Sequence, residues 1–181
     1  MSIESYHSFS PSTGKGVYIH HQACVIGRVN LGDEVSIWPM AVVRGDVAPV
    51  SIGAGTNVQD GAVLHVTAHT KFNAAELPLL IGARVTIGHQ AMLHACTIED
   101  ECLIGMSAVV LDGAVIEKHV LLAAGSVVPP GKRLQSGFLY RGNPVQQARA
   151  LNATELSYFA FSSEHYIELK NRYLEQLKAA K

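Results

Sequence analysis

The sequence predicts an all-β solenoid, a parallel β-helix of hexapeptide repeats followed by one C-terminal α-helix. Two observations carry this prediction: an aliphatic residue recurs every six positions along most of the 181-residue chain, and the C-terminal segment changes to a helical period. A period of six matches neither a helix nor a long alternating strand, so a short strand and a turn must repeat together. Three such rungs form a triangular coil of about 18 residues, and successive coils stack by parallel strand pairing.

The six-residue register runs in four segments. A small or β-branched residue usually stands four positions after each aliphatic register residue. The aliphatic and the small residue are both expected to point into the coil. The register positions are Ile19, Val25, Leu31, Ile37 and Val43; Ile52, Val58 and Leu64; Ile81, Ile87 and Leu93; and Ile98, Ile104, Val110, Ile116, Leu122 and Val128.

Interruptions of the register divide the chain. The middle one, at about residues 66–80, is polar and contains Pro78, which indicates a long loop of the kind that often flanks functional surfaces. Proline and glycine after Val128, and again in residues 142–144, are expected to end the coil. The predicted β-helix domain is therefore residues 1–150, and residues 151–181 form the C-terminal helix.

The C-terminal helix has a predicted start and a predicted apolar face. Asn152 and Glu155 have the spacing of a capping box, with Asn in place of Ser or Thr. Apolar residues then recur at helical intervals, so an amphipathic helix should pack along the β-helix or on a neighbouring subunit. These apolar residues are Leu156, Phe159, Ala160, Tyr166, Ile167, Tyr173, Leu174 and Leu177.

Composition narrows the range of partners. The chain has 14 Lys and Arg against 15 Asp and Glu, which gives no electrostatic argument for nucleic acid or an anionic membrane. The first residues lack the pattern of a secretory signal, and no apolar run could span a bilayer. Three cysteines without CxxC spacing argue against a disulfide framework. We expect a cytoplasmic protein with reduced thiols and a small-molecule substrate.

Counting rungs places three histidines. His65 and His94 each follow the aliphatic residue of rungs that lie one coil apart, so they should stack on one outer face, close enough to share a metal ion. His89 belongs to the preceding rung and should lie near another face. If three prisms associate about an axis, a neighbouring subunit can supply this third imidazole.

The same count brings other polar residues near these histidines. Arg44 should stack on His65 and Asp60 on His89, with Asp46 two residues after Arg44, and Gln59 lies in the strand neighbouring this cluster. Such groups commonly orient metal-bound imidazoles or position an attacking water. Arg44 and Asp46 could form an ion pair between subunits. The role of His69, in the long loop, stays open, and the remaining histidines are interpreted as structural or solvated. They are His7, His20, His21, His119 and His165.

Residues 16–150 resemble the γ-class carbonic anhydrase family, within the hexapeptide-repeat, left-handed β-helix proteins. The left hand is implied by this resemblance, since general rules for parallel crossovers favour the right hand. Hexapeptide repeats alone would also fit acyltransferases, so the specificity lies in the combination of segments. The matching segments are Arg44-Gly45-Asp46, Asn57-Val58-Gln59-Asp60-Gly61, Leu64-His65, Ile87-Gly88-His89 and Leu93-His94.

The resemblance implies a homotrimer with zinc sites between subunits. His65 and His94 would bind Zn²⁺ from one subunit and His89 from its neighbour, with Fe²⁺ or Co²⁺ as alternatives. Gln59 would orient the bound water, and Tyr140 matches a family tyrosine near the site. Metal-bound hydroxide would then hydrate carbon dioxide to bicarbonate reversibly.

The sequence departs from the family pattern at the acidic groups that shuttle protons. Val47 replaces an expected glutamate, and residues 66–68 lack an acidic residue, so activity is expected to be weak. The alternatives are a metal-dependent thioesterase or other hydrolase, a non-catalytic metal-binding trimer that serves assembly, and a hexapeptide acyltransferase that uses acetyl-CoA.

Overall fold

The computed structural model describes residues 2–179, which form a left-handed parallel β-solenoid with a C-terminal helix. Within that range there are twenty strands and one α-helix. The elements are β1 Ser2–Glu4, β2 Ser12–Thr13, β3 Tyr18–Ile19, β4 Cys24–Leu31, β5 Ser36–Ile37, β6 Val42–Ile52, β7 Asn57–Val58, β8 Val63–His65, β9 Leu79–Ile81, β10 Thr86–Ile87, β11 Met92–His94, β12 Thr97–Ile98, β13 Leu103–Ile104, β14 Val109–Val110, β15 Val115–Ile116, β16 Leu121–Leu122, β17 Val127–Val128, β18 Arg133–Leu134, β19 Phe138–Arg141, β20 Gln146–Ala150 and α1 Ala153–Ala179.

The aliphatic register forms three columns that line the interior of the prism. Each column pairs residues of successive coils in parallel register, so every rung buries its side chain against those above and below it. We call the faces that carry them face 1, face 2 and face 3. Their columns are, in order, Val25, Val43, Leu64, Leu93, Val110 and Val128; Leu31, Ile52, Ile81, Ile98, Ile116 and Leu134; and Ile19, Ile37, Val58, Ile87, Ile104, Leu122 and Tyr140.

The coil continues beyond the point where the sequence was expected to end it. Leu134 and Tyr140 keep the six-residue spacing after Val128 and pair with the preceding coil, so the glycines and prolines of this segment occupy turns. The antiparallel strand β20 then pairs with β19 and covers the last coil. A parallel solenoid needs such a cap because its final strands would otherwise expose unpaired backbone groups.

The long loop joins β8 on face 1 to β9 on face 2. Antiparallel bridges link Thr67 to Leu77 and Thr70 to Asn73, so the loop folds back on itself as a short hairpin. The Asn73 side chain donates to the carbonyl oxygens of Ala68 and Ala75 at 3.1 and 2.8 Å, which holds its tip together. The base of the loop therefore stays beside the end of β8.

Helix α1 packs along face 3. Buried polar contacts fix its position: Ser163 Oγ donates to the carbonyl oxygen of Gly55 at 3.0 Å, and Ser162 Oγ lies 2.8 Å from Thr86 Oγ1. Farther along, Trp38 of the β-helix packs edge-on against Tyr173 of the helix. Residues 2–179 contain no helix of the length and apolarity needed to span a membrane.

The predicted capping box is present at the start of α1. The Glu155 N–H donates to Asn152 Oδ1 at 2.9 Å, and the Asn152 N–H donates to Glu155 Oε2 at 3.0 Å. Arg149 adds two hydrogen bonds to the Glu155 carboxylate at 2.7 Å each. Two kinds of hydrogen bond lower the pKa of Glu155 to about 2: those from Arg149 have the larger effect, and the one from the Asn152 N–H comes second.

The depressed pKa of Glu155 predicts a dependence of stability on pH. An unfolded glutamate titrates near about 4.3, so the ionised contacts stabilise the fold above that pH and are lost as the pH falls toward 2. We expect Glu155→Gln to lower the urea midpoint at about pH 6, with the difference shrinking by about pH 3. Glu175→Gln, at an exposed carboxylate of the same helix, is the control. A pH-independent difference would contradict the assignment.

Candidate metal centre

His65 and His94 lie side by side on face 1. They end strands β8 and β11, and those strands pair in parallel with His65 directly opposite His94. Leu64 and Leu93, one residue earlier, are buried in the core, so alternation turns both imidazoles outward. His65 Nδ1 lies 3.3 Å from His94 Nε2. The register thus brings two imidazole nitrogens together, as the count of rungs predicted.

Asp46 and Arg44 support the first of these imidazoles. His65 Nε2 donates to Asp46 Oδ1 at 3.0 Å, and Arg44 Nη1 forms an ion pair with Asp46 Oδ2 within the same chain. Burial raises the pKa of Asp46, but the hydrogen bonds from His65 and Arg44 outweigh it and hold the pKa below its usual value. Asp46 is therefore an ionised acceptor that orients the His65 ring.

Asp112 supports the second imidazole and was missed by the sequence analysis. Asp112 Oδ1 lies 2.5 Å from His94 Nδ1, and Thr67 Oγ1 donates to Asp112 Oδ2 at 2.5 Å. Burial raises the pKa of Asp112, while these hydrogen bonds bring it below its usual value. The sequence could have indicated this contact, because Asp112 follows His94 by 18 residues, which is about one full coil.

His89 lies away from this pair, in the turn after β10, together with Asp60 in the equivalent turn after β7. It follows β10 of face 3, whereas His65 and His94 end strands of the other sheet. His89 Nδ1 lies 3.0 Å from Asp60 Oδ2, and the two side chains are 40% and 48% exposed. His89 is thus oriented by a carboxylate and accessible to a neighbouring molecule.

Gln59 lies beside His89 at a groove between face 3 and α1. Its side chain is buried, and Nε2 donates to Asn57 Oδ1 at 3.1 Å. The groove has a volume of about 320 Å³, and Tyr158 and Tyr166 of the helix form its opposite wall. Gly88 and Gly105 line the groove on the β-helix side.

Tyr140 is not brought to the histidines within one chain. It continues the inward column of face 3 in the last coil, where it is 4% exposed. Its hydroxyl accepts a hydrogen bond from the Gln135 N–H at 2.8 Å and donates to Gln147 Oε1 at 3.2 Å. A role for Tyr140 in the site stays a prediction that rests on the resemblance. His69 is exposed on the long loop.

The arrangement of donors fits half of a tetrahedral zinc site. Two nitrogens bound to one Zn²⁺ at 2.0–2.1 Å are separated by roughly 3.3–3.4 Å, and His65 Nδ1 and His94 Nε2 already lie 3.3 Å apart. The other nitrogen of each ring is held by a carboxylate, as in many zinc sites. Within residues 2–179 of one chain, no three His, Cys, Asp or Glu side chains form a group able to hold a metal.

Comparisons with known proteins agree with this description. A family model described as bacterial transferase hexapeptide (six repeats) matches residues 95–130. Protein YrdA of Escherichia coli K12 is 47% identical over 96% of this chain and 95% of its own length. Gamma carbonic anhydrase 2, mitochondrial, of Arabidopsis thaliana is 46% identical over 88% of this chain, which spans 57% of that longer protein.

A solved structure gives the same result for the fold. The hexapeptide transferase family protein from Anaplasma phagocytophilum superposes with a TM-score of 0.88 at 38% sequence identity, covering 95% of this chain and 98% of its own. Similarity of this extent covers the β-helix, the long loop and the histidine-bearing segments together. The chain belongs to the γ-class carbonic anhydrase family of hexapeptide-repeat, left-handed β-helix proteins.

Proposed function

We propose that this protein is a zinc-dependent carbonic anhydrase that hydrates carbon dioxide reversibly at sites between the subunits of a homotrimer. His65 and His94 of one subunit and His89 of a neighbour would hold the metal. The observation that carries the proposal is the 3.3 Å separation of His65 Nδ1 and His94 Nε2, with both rings half-buried on the outer face and backed by carboxylates.

The need for a neighbouring subunit follows from where the histidines lie. His89 sits in the turn after β10 with its own carboxylate partner, and the pair on face 1 supplies only two imidazoles. A catalytic zinc site takes three protein ligands and keeps one position open. Cyclic association that sets face 1 of one subunit against the turn at His89 of the next would complete the set three times per trimer.

The surrounding residues would orient the ligands and the reactants. When bound, zinc supplies a Lewis acid that makes water a nucleophile near neutral pH, and Fe²⁺ or Co²⁺ could do the same on this donor set. Asp46, fixed by Arg44, holds the His65 ring, and Asp60 holds the His89 ring. Gln59, buried beside His89, would direct a side-chain amide toward the incoming water.

Export of the proton is expected to limit the rate. Val47 packs against the core where the family pattern has a glutamate, and residues 66–68 lack the acidic residue expected shortly after His65. The carboxylate of Asp46 is already engaged by His65 and Arg44. With no carboxylate at Val47 or in residues 66–68 and with Asp46 already engaged, proton transfer would depend on buffer, so turnover should be weak and should rise with buffer concentration.

Metal analysis combined with stopped-flow carbon dioxide hydration tests the proposal. We expect zinc- or iron-loaded wild-type protein to exceed the buffer rate, and His94→Ala to lose metal and at least about 100-fold of that excess, since removing one ligand leaves two imidazoles. His165→Ala, at an exposed histidine of α1, should match wild type. Buffer-level rates for wild type and His94→Ala alike would exclude carbonic anhydrase activity.

A second candidate is hydrolysis of a thioester or related substrate at the same metal. The groove of about 320 Å³ beside His89 favours it, because this space can receive an organic group that carbon dioxide would leave unfilled. A panel of acyl thioesters assayed with metal-loaded protein would reveal this activity. If neither assay responds while the metal is retained, the site serves assembly of the trimer.

A further inference from the structure

The strongest unassigned feature near the histidines is the chain of contacts from the long loop to His94. Asp112, which follows β14, lies 2.5 Å from His94 Nδ1 through Oδ1 and accepts a hydrogen bond from Thr67 Oγ1 through Oδ2. Thr67 Oγ1 also lies 3.5 Å from His94 Nδ1. Both carboxylate oxygens of Asp112 are thereby directed, one to the imidazole and one to the loop.

This arrangement fixes two properties of the His94 ring. An acceptor at Nδ1 places the proton of the neutral ring on Nδ1 and leaves Nε2 as the lone-pair nitrogen. The same hydrogen bond restricts rotation about the bond that joins the ring to its Cβ. In consequence Nε2 faces His65 Nδ1, the direction in which a shared metal ion would lie.

Thr67 ties this ring to the base of the long loop. The residue is bridged to Leu77 by two backbone hydrogen bonds of 3.2 and 3.0 Å, so its side chain is anchored where the loop leaves and rejoins the β-helix. The hydroxyl then holds Asp112 through Oδ2, the carboxylate oxygen that His94 does not use. The loop therefore reaches the His94 ring through this contact.

We propose that Asp112, held by Thr67, is a positioning residue that presets the tautomer and orientation of His94 for metal binding. This inference rests on the proposed function, since it assigns His94 as a metal ligand. The physical reason is preorganisation: carboxylates hydrogen-bonded to metal-bound histidines raise ligand basicity and remove the cost of orienting the ring. Asp112 thus does for His94 what Asp46 does for His65.

Cobalt binding to the metal-free full-length protein measures the effect without an activity assay. We expect Asp112→Ala to weaken Co²⁺ affinity about 10- to 100-fold and to alter the visible absorption of the bound ion. Asp112→Asn keeps an oxygen acceptor and should lose less affinity than Asp112→Ala. Thr67→Val removes the hydroxyl at similar volume and should also cause a smaller loss.

Glu101→Gln provides the matched control. It breaks another histidine–carboxylate pair, in which His119 Nε2 lies 2.6 Å from Glu101 Oε2, with side chains of comparable exposure. We assign no metal role to His119, so Co²⁺ binding should remain at the wild-type level. If Glu101→Gln weakens binding as much as Asp112→Ala, general destabilisation explains the loss and the proposal is overturned.

The tautomer of His94 gives an independent readout. In metal-free wild-type protein, nitrogen NMR of the imidazoles should show the His94 proton on Nδ1, and a proton on Nε2 would overturn the proposal even if Asp112→Ala fails to fold. If Asp112→Ala binds Co²⁺ with wild-type affinity while His94→Ala does not bind it, the positioning role of Asp112 would be rejected and the proposed metal site would be retained. Undiminished binding in His94→Ala would instead reject the proposed function.

Discussion

Mixing two inactive variants is expected to restore metal sites. His94→Ala and His89→Ala should each bind no stoichiometric metal, because each would lack one of the three imidazoles at every site of the proposed trimer. In a site shared between subunits, however, the pair on face 1 and the single histidine in the turn after β10 come from different chains. Co-expression of the two variants would therefore rebuild some sites that contain all three ligands.

The recovered fraction can be calculated from the symmetry. A site is intact only when an His89→Ala subunit supplies the face 1 pair and an His94→Ala subunit supplies the third ligand. With equal amounts and random assembly, each condition holds for half of the subunits, so about a quarter of the sites should recover. Metal content of the purified mixture, and its rate of carbon dioxide hydration, should both reach about that fraction of wild type.

A second mixture serves as the control. His65→Ala and His94→Ala alter residues that lie opposite each other in one chain. Every subunit of this mixture lacks one of the two histidines, so no arrangement of subunits gives a complete pair. This mixture should recover no sites. The shared-site proposal would be rejected by full metal content in His89→Ala alone, or by no recovery in the first mixture although mixed trimers form.

The periodicity of the sequence predicted most of the fold because it reports a repeated physical requirement. Each register residue contacts its equivalents in the coils above and below, so Ile, Val or Leu is needed at every sixth position. Strands β4 and β6 were harder to predict, since the backbone stays extended from the face 1 column to the face 2 column. The capping strand β20, fully exposed and without alternation, carries no such pattern.

The proximity of His65 and His94 could be predicted because backbone register alone determines it. His65 and His94 meet because Leu64 pairs with Leu93, and this follows from counting. Asp112 was missed because its contact with His94 comes from a side chain in the following coil, two residues beyond the register position Val110. The pairing of Arg44 with Asp46 within one chain also depends on side-chain direction, which the count of rungs does not specify.

Removing the carboxylate of Glu34 is expected to loosen helix α1. Lys170 of α1 is fully buried against the β-helix, and its Nζ lies 2.5 Å from Glu34 Oε2 and donates to Asn171 Oδ1 at 2.6 Å. A buried ammonium group is tolerated only while partners satisfy it. Loss of a partner from a buried pair costs about 3–5 kcal/mol, and because the Glu34 side chain is 42% exposed we expect about 2 kcal/mol for Glu34→Gln.

Removing the charge of Lys170 separates two effects of Glu34→Gln. One is the cost of a buried cation without its partner, and the other is the loss of the ion pair itself. Lys170→Met keeps much of the side-chain volume but removes the charge, so the free energy of unfolding should stay within about 1 kcal/mol of wild type, and Lys170→Met should also rescue Glu34→Gln. Urea unfolding at one fixed protein concentration gives these values, since assembly makes stability concentration-dependent. Amide hydrogen exchange should show faster opening of α1 in Glu34→Gln, with β10 and β13 unchanged. Equal destabilisation by the single changes, without rescue in the double variant, would mean that the ion pair itself holds the helix.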